Sequence, residues 1–79
     1  MIIKIQNKRV NFNNVLAYYA SSRVVYDKWI KTDAFDHFLT LDTIGESEHY
    51  GGYSFKYDSL IEVKAVIKQL DEALGVKEL

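Results

Sequence analysis

The chain has 79 residues, a net charge of −1, no cysteine and no proline. That length suits one domain over residues 1–79 with a thin stability margin, and the missing cysteines exclude disulfides and thiolate metal sites. They also fit a reducing, cytoplasmic setting. Met1-Ile2-Ile3-Lys4 reads as the start of a short strand rather than a secretion signal. No apolar run approaches the ~20 residues of a membrane span.

Residues 2–12 alternate as a β-hairpin. A turn at Asn7-Lys8 would use asparagine for the positive φ that two-residue turns favour. That register pairs Ile5 with Val10 and Ile3 with Phe12, and puts all four on one face. Asn13-Asn14 makes the next turn. Residues 15–30 carry two patterns. Val15, Tyr18, Tyr19, Ser22, Val25, Tyr26 and Trp29 recur at helical spacing. The valines and aromatics favour strands instead. A split at Ser21-Ser22 gives a hairpin pairing Tyr19 with Val24 and Ala17 with Tyr26, and the strand reading is preferred.

Residues 35–44 form a strand with Leu39 and Leu41 on one face and Phe38 and Thr40 on the other. Residues 45–52 make a polar loop ending in Gly51-Gly52. Tyr53, Phe55 and Tyr57 then alternate with Ser54 and Lys56 as a half-buried strand. The last element, about 59–74, is a helix. Ser59 and Glu62 form a capping box, and Leu60, Val63, Ile67, Leu70 and Leu74 make one apolar stripe. Gly75 suits a left-handed cap. The fold class is α+β: a small, mainly antiparallel sheet of four or five strands, an N-terminal β-hairpin first and one C-terminal helix on one face. One helix cannot cover Tyr18 or Tyr19, Tyr26, Trp29, Phe38, Tyr53 and Phe55 together, so some aromatics must close a barrel-like core or stay exposed.

The near-neutral total conceals a split. Residues 1–31 carry a net +5, residues 32–55 a net −5 and residues 56–79 a net −1. Neutralisation between adjacent strands accounts for such blocks without any function. Asp33, Asp36 and His37 have a spacing that would share a helix face and could hold zinc, with Glu48-His49 nearby. The spacing is not a specific motif. Solvated acids in a polar connection explain it as well. No nucleophile elbow, phosphate loop or zinc-protease motif is present, and a domain this small has little depth for a pocket that tunes acid and base groups. The expectation is a non-enzymatic protein without cofactor or metal.

Two binding readings remain. In the first, the chain is a small protein-interaction module that meets another protein through an acidic, aromatic-rich surface. Trp29 and Tyr50 would be anchors. Asp33, Asp36, Asp42, Glu46 and Glu48 would steer toward a basic partner. Size and composition fit a phage or mobile-element inhibitor of a host protein, and an uncovered sheet face or edge could also join a second copy as a homodimer. The alternative is a single-stranded nucleic-acid binder using Lys8, Arg9, Arg23, Tyr26 and Lys28. Against it stands the acidic block beside the basic one.

Overall fold

A computed structural model describes residues 1–44 and 52–79. Its elements run β1 (Ile2–Ile5), β2 (Lys8–Asn11), a 3-10 turn (Phe12–Asn14), β3 (Val15–Asp27), β4 (Ile30–Thr43), β5 (Gly52–Tyr57) and α1 (Leu60–Leu74). The fold is α+β. β1 and β2 form a two-stranded sheet, and β3, β4 and β5 form an antiparallel sheet in that order.

The first hairpin turns one residue earlier than the alternation suggests. Gln6 and Asn7 take φ of 47° and 68°, so Ile3 pairs with Val10 and Ile5 with Lys8. Moving the turn by one residue shifts each partner by two. Every side chain therefore keeps its face, and Ile5, Val10 and Phe12 are all buried. The shift also places Lys8 in the strand, where its ammonium sits 4.3 Å from the centre of the Tyr53 ring.

Residues 15–30 contain neither a helix nor a turn at Ser21-Ser22. β3 runs straight through both serines. Ser21 Oγ lies 2.8 Å from Thr40 Oγ1 and Ser22 Oγ lies 2.8 Å from His37 Nδ1. These hydroxyls serve as cross-strand pairs rather than as turn formers. Tyr19 pairs with Thr40 and Ala17 with Asp42, replacing the expected Tyr19–Val24 and Ala17–Tyr26 pairs. The reversal comes at Lys28-Trp29, and the strand expected over 35–44 begins at Ile30.

Alternation along β4 sorts the larger sheet into two faces. Leu39 and Leu41 are fully buried; Ala20 and Tyr18 stand beside them on β3, and Phe55 and Tyr53 on β5. α1 lays Val63 and Leu70 on this face, flanked by Val66, Ile67 and Leu74. The β1–β2 hairpin contributes Ile5 and Val10 to the same core, and Gln6 Nε2 donates to the Lys56 carbonyl at 2.6 Å. Helix and hairpin thus cover the aromatic face together, which one helix could not do, and among the described residues no barrel closes. Burying such side chains contributes roughly 1.5–3 kcal/mol each. The opposite face, with Tyr19, Arg23, Phe38, Thr40 and Lys56, carries no packed element among the described residues.

Ser59 Oγ accepts from the Glu62 N–H at 3.2 Å, closing one half of the capping box. Glu62 Oε2 accepts from the Asp58 N–H, one residue before the cap. Gly75 ends α1 at φ 68°, where a left-handed cap needs it.

Candidate protein-contact surface

β5 pairs with β4 only from His37 to Asp42. Beyond that limit β3 and β4 continue as a two-stranded arm, and no residue from 21 to 36 belongs to the core. The arm lengthens the molecule. Its radius of gyration is 14.0 Å, against about 12 Å for a compact chain of this length.

Local chemistry shapes the arm at two points. Its tip is a two-residue turn with Lys28 at φ 48° and Trp29 at φ 73°. Both values match the hairpin turn whose twist fits the flanking strands, yet asparagine and glycine are the residues that take it readily. A bulky residue there costs about 1–2 kcal/mol. Farther down, Val24 pairs with Phe35 and Tyr26 with Lys31. Thr32, Asp33 and Ala34 therefore stand opposite Val25 alone. Thr32 Oγ1 donates to the Val25 carbonyl at 2.6 Å and accepts from the Ala34 N–H at 3.2 Å. One hydroxyl thus fixes the bulge and sets Asp33 on its outer bend.

The tip is apolar and open. Trp29 is 97% exposed, Ile30 69%, Tyr26 64% and Phe35 53%. Lys28 and Lys31 flank these side chains. The large area of indole left in water is unusual for a residue whose backbone conformation is itself unfavourable.

The acids expected to act together are dispersed. Asp33 is exposed on the arm. Asp36 and Asp42 lie on the open sheet face, where Asp36 pairs with Lys56 at 3.3 Å and Asp42 Oδ1 accepts from the Tyr19 hydroxyl at 3.3 Å. Glu46, Glu48 and Tyr50 lie outside the described residues, as do His49, Gly51 and most of the expected 45–52 loop. The zinc-like spacing of Asp33, Asp36 and His37 loses its meaning on a strand, because Asp36 and His37 point to opposite faces. The basic residues divide too. Lys8 and Arg9 belong to β2, and Arg23, Tyr26 and Lys28 to β3 and its turn. The Arg23 guanidinium lies 5.4 Å from the centre of the Phe38 ring.

Three tyrosines are perturbed. Burial, the hydrogen bond to Asp71 and the charge of that carboxylate together push Tyr18 up to about 12. Its hydroxyl donates to Asp71 Oδ1 at 2.7 Å and ties the sheet to α1. Tyr19 is raised by desolvation and by Asp42. Tyr57 is raised chiefly by burial. All three favour the neutral phenol, and Tyr18 and Tyr19 act as donors, to Asp71 and Asp42. Beside α1 a groove of about 400 Å³ is lined by Ile3, Ile5, Tyr57, Val66, Leu70 and their neighbours. Among the described residues no carboxylate lines it, so they supply no pair of groups for acid–base work there.

Sequence reasoning had singled out Trp29 but grouped it with the acids. Ile30 and Phe35 were missed as contact candidates, because their exposure follows from where β5 ends. No helix among the described residues is long and apolar enough to cross a membrane. The sequence matches no protein-family model, and no curated protein or solved structure matches the chain.

Proposed function

We propose that the chain is a non-enzymatic protein-interaction module whose contact element is the β3–β4 arm. The observation that carries this reading is Trp29, which is 97% exposed at the tip of a projecting hairpin and held at φ 73°. A glycine or asparagine would make the turn more cheaply, so stability alone does not account for the indole. Tryptophan and tyrosine supply much of the energy at protein interfaces. A narrow hairpin carrying them fits a concave apolar site on its partner. Asp33, on the bulge, supplies the rim charge that the sequence assigned to the whole acidic block. An inhibitor that plugs a host protein's cleft is one form of this activity.

Affinity capture from the cell of origin tests the proposal, with wild-type chain and Trp29→Gly as parallel baits. Glycine accepts the turn conformation, so the variant keeps its fold. Proteins captured by wild type and absent from the variant support the reading; identical sets from the two baits contradict it. Oligonucleotide titration at low salt tests the nucleic-acid alternative, whose affinity would fall steeply as salt rises.

A further inference from the structure

The long strand β3 lies at the edge of its sheet, and among the described residues nothing pairs with its outer side. Proteins usually blunt such edges with proline, charge or shortness. β3 spans 13 residues without proline, and Arg23 is its one charge before Asp27. Irregularities fall between Val15 and Ala17 and between Val24 and Tyr26, leaving the ladder over residues 17–24 regular. The geometry points to a homodimer in which β3 of one copy pairs antiparallel with β3 of a second, about a two-fold axis through Ser21.

The side chains are complementary in that register. A two-fold perpendicular to the sheet must pair residues of the same face, so their numbers add to an even value. Centring on Ser21 sets Tyr18 against Val24 of the second copy and Ala20 against its Ser22 on the core face. On the open face Tyr19 meets Arg23 of the second copy. The Tyr19 hydroxyl is already bonded to Asp42, so the incoming guanidinium faces an aromatic ring with a carboxylate beside it, and no like charges oppose one another. Each arm gains a neighbouring strand along its β3 half. Assembly then stops at two copies. The other edge, β5, has only six residues, and Gln6 occupies the Lys56 carbonyl there. Both Trp29 tips remain outside the pairing, at opposite ends of a six-stranded sheet.

Sedimentation equilibrium of the full chain, with a single-cysteine cross-link as register probe, tests this. The chain has no native cysteine. Ser21→Cys would place two thiols directly opposite, with Cα atoms about 4.5–5.5 Å apart and within disulfide reach. Ser54→Cys, on β5, serves as control. The expected result is a mass twice 9.2 kDa, with oxidative cross-linking of Ser21→Cys and not of Ser54→Cys. Ser21→Lys, which sets like charges across the axis, should raise the dimer dissociation constant about fivefold. Circular dichroism confirms that each variant is folded, and Arg23→Glu, which turns attraction toward Asp42 into repulsion, weakens the dimer by an independent route. A mass of one chain up to about 1 mM, the weak end of specific association, would overturn the inference. So would a dimer that cross-links through Ser54→Cys, or one that Ser21→Lys and Arg23→Glu both leave unchanged.

Discussion

Trp29 and Tyr18 show how one side chain can serve contact or stability, and each allows a prediction at that scale. Trp29 occupies a left-handed backbone conformation that costs a bulky residue about 1–2 kcal/mol, and its ring returns almost no burial. Trp29→Gly removes that strain while adding freedom to the unfolded chain. The expected balance is a gain of about 0.5–1 kcal/mol, read as a melting temperature higher by roughly 2–8 °C. A lower melting temperature would mean that the indole supports the fold. Tyr18 is the reverse case. Its hydroxyl bond to Asp71 joins sheet to helix, and Tyr18→Phe should cost about 1 kcal/mol at neutral pH. The folded phenol ionises near 12 rather than 10. Its stabilisation is therefore complete below pH 10 and is lost as pH rises toward 12, because the unfolded chain gives up this proton first. In denaturant titrations the gap between wild type and Tyr18→Phe should narrow over that window. A constant gap would show that the phenol is not shifted.

Among the elements, those with strong local signals were legible in the sequence. Leu39 and Leu41 fill the core as their alternation requires, and Tyr53, Phe55 and Tyr57 line the same sheet face. The helix starts at its serine cap and ends at Gly75. Turns were harder, because each of two turns places a residue with weak turn preference, Gln6 in one and Lys28 and Trp29 in the other, at positive φ. Gln6-Asn7 displaced Asn7-Lys8 without changing any face. Lys28-Trp29 has neither glycine nor asparagine, so Ser21-Ser22 looked the better turn, and the arm stayed hidden. Its exposure depends on where β5 pairs along β4, which no local pattern encodes. Gly52 shows the opposite kind of necessity. It pairs with Asp42 at φ 142°, and an added Cβ would stand 1.7 Å from the Leu41 carbonyl oxygen. Gly52→Ala should therefore destabilise the chain by about 2–3 kcal/mol, measurable as a lower denaturation midpoint. An unchanged midpoint would show that the β4–β5 pairing can shift to make room.

The whole molecule joins a compact half to an open one. Helix and first hairpin bury one face of the sheet, and this half holds every fully buried side chain among the described residues. The arm contributes nothing to that core and exposes its largest side chains. Part of the acidic block finds partners within the sheet. Asp36 meets Lys56 and Asp42 meets Tyr19, so two of the five acids are engaged within the sheet, and contact chemistry shifts toward the aromatic tip. Amide hydrogen exchange of the chain, alone and bound to a protein captured by wild type, tests that claim most directly. The account predicts slowed exchange concentrated in residues 24–35, with α1 and the β1–β2 hairpin unchanged. Slowing confined to α1 and its groove, with the arm exchanging as in the free chain, would contradict it.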